Sequence, residues 1–184
     1  MVIAMLDDLG IDKFSFADNS LGGVIGVKIA AMGPKRLTRL ALFSVNLSAS
    51  MVREGLRKLD ASVDPAEWTR DWRLRPRTLA QAAKFGTIDP QIEVEQNASR
   101  ARADRWVRPS ERGVDLADTA AKLARIQAPT LLIHADRGHY LKYEVTGRAQ
   151  IQTEQVAHVA GSGSFVHQER PAETGRILRE FFTG

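Results

Sequence analysis

A serine between an apolar segment and a glycine-rich stretch is the residue of this sequence with the clearest chemical use. Ser20 follows the apolar residues 14–17 and precedes Gly22. A sharp turn from strand to helix lifts such a hydroxyl above a sheet, where it can act as a nucleophile, and the next backbone N–H, that of Leu21, can stabilise an oxyanion. The spacing predicts a nucleophile elbow of the G-x-S-x-G type, with Asp18 where the pattern has its first glycine.

The sequence around Ser20 resembles the α/β-hydrolase family. Residues 18–44, DNSLGGVIGVKIAAMGPKRLTRLALFS, are similar to the family segment that reads GHSLGG, a helix, Pro-x-Arg and a strand ending in a small residue. The likeness spans residues 1–48 and returns at residues 126–134 and 161–171, which are similar to the family's penultimate strand and to its last loop and helix. The resemblance implies a carboxylester-type or C–C hydrolase with serine, acid and histidine in that chain order.

The same resemblance assigns partners to the serine, with two departures from the family pattern. The family's acid position falls at Gly138, and the nearest carboxylate in that loop is Asp136. The family's histidine position falls at Ser164, and His167 follows in the same segment. Because the triad acts as a unit and loss of one member costs about 10⁴- to 10⁶-fold in rate, we expect hydrolase activity to be weak or absent. We assign Ser20 as nucleophile, His167 as base and Asp136 as acid.

Other groups could supply or hinder the same chemistry. His139 lies in the acid loop and is an alternative base, whereas His158 alternates within a predicted strand and is expected to pack or to face solvent. A carboxylate at Asp18 would place negative charge near the developing oxyanion. Asp136 and His167 also have structural explanations, as a solvated loop aspartate and as a polar residue near a helix start. The distance from the serine hydroxyl to the nearest imidazole therefore decides whether a base is present.

Three further patterns indicate other ligands only weakly. His134, Asp136 and His139 lie within one loop, but their spacing matches no strong zinc motif, so we predict no metal and no cofactor. The glycines of residues 22–26 do not form the G-x-G-x-x-G phosphate fingerprint. A basic and aromatic patch could bind an anion or RNA, with a solvated surface as the alternative; it consists of Arg70, Arg73, Arg75 and Arg77 beside Trp68 and Trp72.

Composition bounds the class of protein. The chain has 184 residues, of which 43% are hydrophobic and 26% charged, which is typical of one soluble domain. No apolar run approaches the ~20 residues that span a bilayer, so we predict no membrane association and a cytoplasmic location. The chain has no cysteine, which excludes disulfides and cysteine nucleophiles. Its 26 Lys and Arg residues are interleaved with 22 Asp and Glu residues, so we predict no nucleic acid as partner. The family resemblance implies a small ester-like substrate instead.

Hydrophobic periodicity places this chemistry on an α/β fold. We predict a small parallel sheet of about four strands flanked by helices, because the apolar runs are short and continuous. The predicted strands are residues 14–17, 40–43, 130–133 and 155–160, and the predicted helices of this core are residues 2–9, 20–32, 141–151 and a last helix from Pro171.

The middle of the chain has a helical character and is predicted to be a cap inserted into the core. Residues 1–48 and 125–184 would form the hydrolase-like core, and residues 49–124 the cap over the active site. Helices are predicted near residues 51–60, 65–72, 78–85, 90–106 and 114–125. Trp68 and Trp72 are four residues apart and would share one face of the second of these helices.

The first predicted strand has no earlier strand to pair with. In the family, four strands and the loop with a second oxyanion donor precede the helix that matches residues 2–9, and the sequence leaves open whether it is a natural short protein or a fragment. Exposed apolar edges recruit partners, so we predict a homodimer or a complex through the edge at residues 14–17. Two functions remain: a serine hydrolase of esterase type with weak or lost activity, and a non-catalytic scaffold or partner-binding protein on a truncated hydrolase fold.

Overall fold

Four parallel strands form one sheet in sequence order. The computed structural model describes residues 2–33, 35–51, 53–61, 64–85, 89–152 and 154–184. The strands are β1 (Phe14–Asn19), β2 (Leu37–Phe43), β3 (Thr130–Ala135) and β4 (Glu154–Val159), each paired in parallel with the next. The sheet predicted from the sequence is therefore confirmed. Each observed strand begins earlier or runs further than its apolar run, because backbone pairing continues through polar residues.

Helices lie on both faces of this sheet and between β2 and β3. They are α1 (Val2–Asp8), α2 (Ser20–Ala31), α3 (Arg53–Ala61), α4 (Leu79–Ala82), α5 (Pro90–Ala103), α6 (Val107–Leu116), α7 (Ala120–Leu123), α8 (Glu144–Gln150), α9 (Val166–Glu169) and α10 (Pro171–Thr183). Short 3-10 turns occupy Ala83–Phe85, Asp104–Trp106 and Leu141–Tyr143. Within the ranges given above, no helix has both the length and the apolar composition that a bilayer crossing requires.

Alternating side chains of the two central strands divide the core into two clusters, one on each face of the sheet. Leu40 and Leu42 of β2 and Leu132 of β3 pack under α2 and α7. The neighbouring residues of the same strands pack on the other face, against α10. Every residue of β3 is buried, which explains why its sequence is a nearly continuous apolar run.

Close packing explains the glycines at the start of α2. A Cβ atom at Gly23 would lie 2.1 Å from a methyl carbon of Val45, and one at Gly26 would lie 2.9 Å from the ring of Phe16. Real Cβ atoms do not approach neighbours so closely, so these positions need glycine to let the helix lie on the sheet. These two glycines therefore serve the packing of the helix against the sheet.

The helix predicted for residues 65–72 is wrong. The start signal is real, since the Asp64 side chain accepts a hydrogen bond from the Ala66 N–H at 2.8 Å. The chain then leaves the helical path, because the Thr69 hydroxyl accepts from the Arg73 N–H at 3.0 Å and closes a turn. The backbone φ of +64° at Trp72 completes this turn.

Trp68 and Trp72 consequently do not share a helix face. Both rings contact one cation instead, since the Arg108 guanidinium carbon lies 5.6 Å from the centre of Trp68 and 5.2 Å from that of Trp72. Arg108 is buried and forms an ion pair with Asp60 of α3. This cation links three segments between β2 and β3, which gives the tryptophans a packing role there.

Candidate active site

The elbow predicted at Ser20 has the expected backbone. Asn19 ends β1 in an extended conformation, with φ −108° and ψ 149°, and Ser20 begins α2 with a φ of +48°. A left-handed conformation is uncommon for a residue with a side chain and costs of order 1–3 kcal/mol, so the surrounding structure must hold it. Strand, strained serine and helix follow one another directly, as a nucleophile elbow requires.

Asp18 fills the space in which the elbow pattern places two glycines together. A Cβ atom at Gly22 would lie 2.1 Å from the Asp18 carboxyl carbon, so this carboxyl group sits over the first turn of α2. Its Oδ1 accepts a hydrogen bond from the Asn19 N–H at 2.8 Å. A side chain at position 22 would therefore have to displace this carboxyl group, which lies close to the elbow.

Asn19 ties the elbow to two neighbouring segments. Its Nδ2 donates to the carbonyl of Phe43 at the end of β2, at 3.0 Å, and to the carbonyl of Ser164 in the loop after β4, at 3.3 Å. Both acceptors lie near the carboxyl ends of parallel strands, at the same edge of the sheet. The side chain before the nucleophile thus fixes the elbow relative to the loop that precedes His167.

The hydroxyl partner of Ser20 is a tyrosine. Ser20 Oγ lies 3.2 Å from the hydroxyl oxygen of Tyr140, which belongs to the loop after β3. The sequence did not lead us to predict Tyr140, although we expected the acid of the triad in this same loop. The available signal was position alone, since a polar side chain that follows a parallel strand lies at the sheet edge where the elbow opens.

His167 faces the same cavity as Ser20 but does not bond to it. It lies in α9, and burial lowers its pKa below the ordinary 6.5, an effect that the carboxylates of Asp18 and Glu169 partly offset. The lower pKa favours the neutral imidazole that a general base needs. Its Nδ1 atom is buried without a hydrogen-bond partner within the described residues. The structure thus brings nucleophile and proposed base to one cavity, while no described residue forms a hydrogen bond to Nδ1 that would orient the imidazole.

A carboxylate in α9 holds the loop that precedes His167. Glu169 accepts hydrogen bonds from the N–H of Gly163 at 2.8 Å and from that of Phe165 at 3.3 Å. Ser164, at the position of the family's histidine, is buried and its hydroxyl has no partner within the described residues. The loop is therefore well supported, while the residue at its tip cannot act as a base.

Asp136 braces two loops and contacts neither proposed catalytic partner by a hydrogen bond. It is exposed, and its Oδ2 accepts from the Gly161 N–H at 2.7 Å, which links the loop after β3 to the turn after β4. The charges that act on His167 are those of Asp18 and Glu169. The geometry gives Asp136 a structural task, and its assignment as the acid stays a prediction without a contact to support it.

The remaining histidines occupy different environments. His134 is buried on β3, with its pKa lowered by burial, and its ring centre lies 6.1 Å from that of His158 on β4. His158 Nε2 lies 2.8 Å from Glu144 Oε2. His139 is exposed and meets the Tyr140 ring edge-on at 5.3 Å. Across the described residues, no group of three or more His, Asp or Glu side chains is arranged to hold a metal ion.

The cavity has walls from both parts of the chain. It encloses about 840 Å³ and is lined by Ser20, Tyr140 and His167 on the sheet side. The segment between β2 and β3 also lines the cavity, with Trp68 and Gln96 among its residues. Gln96 Nε2 donates to the Gln168 side chain at 2.9 Å, so this segment is hydrogen-bonded to the residue next to His167.

The arginines of the basic patch predicted from the sequence point to different partners. Arg73 pairs with Asp71 and Asp104, each at 2.7 Å. Arg77 is nearly buried and donates to Gln96 Oε1 at 2.7 Å. These contacts of Arg73 and Arg77 are internal to the segment.

Several solved structures of enzymes have a similar fold. The chain is similar to a bacterial membrane phospholipase A, with a TM-score of 0.74 and 21% identity over 98% of this chain and 60% of that one. It is also similar to the enol-lactonase of Burkholderia xenovorans (TM-score 0.71, 20% identity, 100% of this chain and 70% of that one). A meta-cleavage product hydrolase of Pseudomonas fluorescens matches with a TM-score of 0.71 and 18% identity, over 98% of this chain and 68% of that one.

These similarities lie in the fold rather than in the sequence. No protein-family model matches the sequence, and no curated protein matches it significantly. The chain spans 60% of the length of the phospholipase A and 70% of the length of the enol-lactonase, while nearly all of its own residues are covered. The four-stranded parallel sheet, the helices on its two faces and the elbow at Ser20 identify this chain as carrying part of the α/β-hydrolase fold.

Proposed function

We propose that this protein is a serine hydrolase of esterase type that acts slowly on a small ester-like substrate. The observation that carries this proposal is the position of Ser20, which is held left-handed at a strand-to-helix turn and lines a cavity together with His167. The cavity volume of about 840 Å³ falls within the usual range for small-molecule sites. The hydrolases of similar fold add support at the level of fold.

The reaction follows from the groups at the site. Ser20 Oγ attacks the substrate carbonyl carbon and its proton passes to His167, while the carbonyl electron pair moves onto oxygen as the Leu21 N–H donates to it. The tetrahedral intermediate then expels the alcohol, which takes the proton from His167. Water attacks the acyl-enzyme by the same route and releases the acid. The Ser20 hydroxyl must turn from Tyr140 toward His167 in the first step, a tightening that is common on substrate binding.

Two features of the site would make this reaction slow. The buried Nδ1 of His167 has no hydrogen-bond partner within the described residues, so no carboxylate there selects the tautomer, and the Asp18 and Glu169 charges only partly offset the burial that disfavours the imidazolium. Loss of that orienting acid alone lowers kcat by about 10⁴-fold in serine proteases. The Asp18 carboxyl group beside the elbow adds repulsion toward an oxyanion.

We further propose that residues 49–124 act as a cap that shapes the substrate site. Trp68 and Gln96 of this segment form part of the wall of the cavity that Ser20 also lines, and the Gln96–Gln168 hydrogen bond connects the cap to the core. Substitutions in this wall would then change substrate choice while leaving the reactivity of the serine unaltered.

The second candidate is a non-catalytic, partner-binding protein on the same fold. It is favoured by the outward face of α2, where Leu21, Ile25 and Met32 are exposed beside the edge strand β1. We propose a homodimer through this surface, which would be compatible with either function. The cytoplasmic location stays a prediction from composition.

Labelling with a serine-directed fluorophosphonate tests the two functions. A hydrolase reacts with one probe per chain, and Ser20→Ala abolishes the reaction because the nucleophile is gone. Ser15→Ala, which removes an exposed serine of β1, is the matched control and keeps the labelling. Folded wild-type protein that takes up no probe over hours would refute the hydrolase and favour the scaffold.

A further inference from the structure

The Tyr140 hydroxyl lies next to the proposed nucleophile. Its oxygen lies 3.2 Å from Ser20 Oγ, and both residues line the cavity. We propose that the Tyr140 hydroxyl is a second oxyanion donor, which acts together with the Leu21 N–H during acyl transfer. This inference rests on the proposed hydrolase function and adds a catalytic residue to it.

The chemistry of a phenol fits a donor better than a base. A neutral tyrosine hydroxyl donates one hydrogen bond and is too weak a base to take the serine proton, a task left to His167. The oxyanion is bonded to the same carbon as Ser20 Oγ once attack has occurred. A donor already in contact with Oγ therefore needs only a small shift to reach the oxygen on which the charge develops.

The surroundings of Tyr140 hold its ring in place. His139 contacts the ring edge-on at 5.3 Å between centres, and the Tyr143 ring lies at 6.4 Å. The carbonyl of Tyr140 accepts from the Tyr143 N–H at 3.0 Å, which closes the 3-10 turn that follows. Such support lowers the reorganisation required at the moment of reaction, which is the condition under which a donor contributes most.

The step balances without any further reagent. The bond from Ser20 Oγ to the acyl carbon forms, the carbonyl π pair becomes the oxyanion lone pair, and the serine proton goes to His167. Tyr140 keeps its own proton throughout and donates a hydrogen bond from it. Collapse of the intermediate restores the carbonyl and ends that hydrogen bond. The second donor thereby offsets part of the charge that Asp18 places near the elbow.

Tyr140→Phe is the test, since it removes the hydroxyl and keeps the ring. We expect kcat for p-nitrophenyl butyrate to fall by about 10²- to 10³-fold, as loss of one oxyanion donor does elsewhere, with KM changed little. The affinity for a trifluoromethyl ketone, which forms a tetrahedral oxyanion adduct with the serine, should fall by a similar factor. Tyr143→Phe is the control and should leave both quantities within twofold of wild type.

The outcomes separate this inference from the proposed function. If wild-type protein reacts with fluorophosphonate and Tyr140→Phe keeps kcat and the ketone affinity within twofold, the donor role is refuted and the hydrolase stands. If kcat falls while the ketone affinity is unchanged, Tyr140 positions Ser20 only and the donor role is again refuted. If wild-type protein neither labels nor turns over the ester, both proposals fall together. A parallel loss of kcat and ketone affinity supports both.

Discussion

The backbone of Ser20 is strained, because its φ lies in the left-handed region. A left-handed φ of +48° costs of order 1–3 kcal/mol, and the Asn19 hydrogen bonds to the ends of β2 and of the loop after β4 hold the turn against that cost. The set of catalytic partners around the serine is incomplete. His167 lies in the same cavity without a hydrogen bond to an acid, so the site combines a precisely held nucleophile with a poorly directed base.

The pH dependence of Ser20 reactivity should identify its base. Because burial lowers the pKa of His167 below 6.5, the imidazole stays neutral to a lower pH than usual. We expect the fluorophosphonate inactivation rate to be constant at neutral pH and to fall on acidification, with a midpoint below 6.5. His167→Gln should lower the rate by about 10²- to 10⁴-fold and remove this titration.

His139→Gln is the control, because His139 is the other histidine near Ser20 through its contact with Tyr140. Its pKa is also lowered by burial, so the midpoint alone does not distinguish the two histidines. A comparison of the two variants distinguishes them. If His139→Gln abolishes the titration while His167→Gln preserves it, our assignment of the base is wrong.

At the scale of elements, the elbow depends on how closely α2 lies on the sheet. Gly23 faces Val45, which follows β2 and is itself buried, and there is no room between them for a methyl group. The same approach brings the first turn of the helix to the sheet edge where the cavity opens. Packing of this helix therefore couples the stability of the fold to the position of the nucleophile.

Gly23→Ala should destabilise the protein by about 1–3 kcal/mol, because the added Cβ would lie 2.1 Å from Val45 Cγ2. Urea unfolding would measure this loss. The double variant Gly23→Ala/Val45→Ala should be more stable than the sum of the two single losses predicts, since removal of the valine methyls makes room. Gly113→Ala is the control in α6, where nothing lies within 4 Å, and it should stabilise the protein by up to about 1 kcal/mol. A strictly additive double variant would contradict the proposed clash.

Patterns of adjacent residues were enough to predict most strands and helices. The site was harder to predict, because its residues meet through contacts between distant parts of the sequence. β3 was recognisable because burial on both faces leaves an apolar run, and the elbow was recognisable because strand, serine and glycines are adjacent. The helix at residues 65–72 failed because Thr69 diverts the backbone after a genuine start signal. Tyr140 could not be predicted, since its hydroxyl reaches Ser20 across 120 residues of sequence through the fold of one loop.

At the scale of the whole molecule, the strands of the sheet differ in how well they are covered. Buried clusters cover both faces of the central strands β2 and β3, whereas β1 is an edge strand in the described part of the chain, with Ser15 and Ala17 exposed. Beside it, α2 has apolar residues on its outward side as well as on the side that packs against the sheet, with Lys28 as the exposed charge on the outward side. Such a helix is normally covered on all sides, so its outward face is the surface of this protein best suited to a second copy.

A homodimer through this surface makes a prediction that is independent of catalysis. Leu21, Ile25 and Met32 are 40%, 39% and 68% exposed and lie on one side of α2, with Lys28 between them. Light scattering should give twice the mass of the chain, and Ile25→Glu should give the single-chain mass, because a carboxylate buried without a partner opposes association. Val145→Glu changes an equally apolar residue that is 75% exposed on α8 and should leave the dimer intact. A wild-type protein that stays monomeric and does not aggregate at high concentration would show that the apolar face of α2 is tolerated in water, and the proposed dimer would then be wrong.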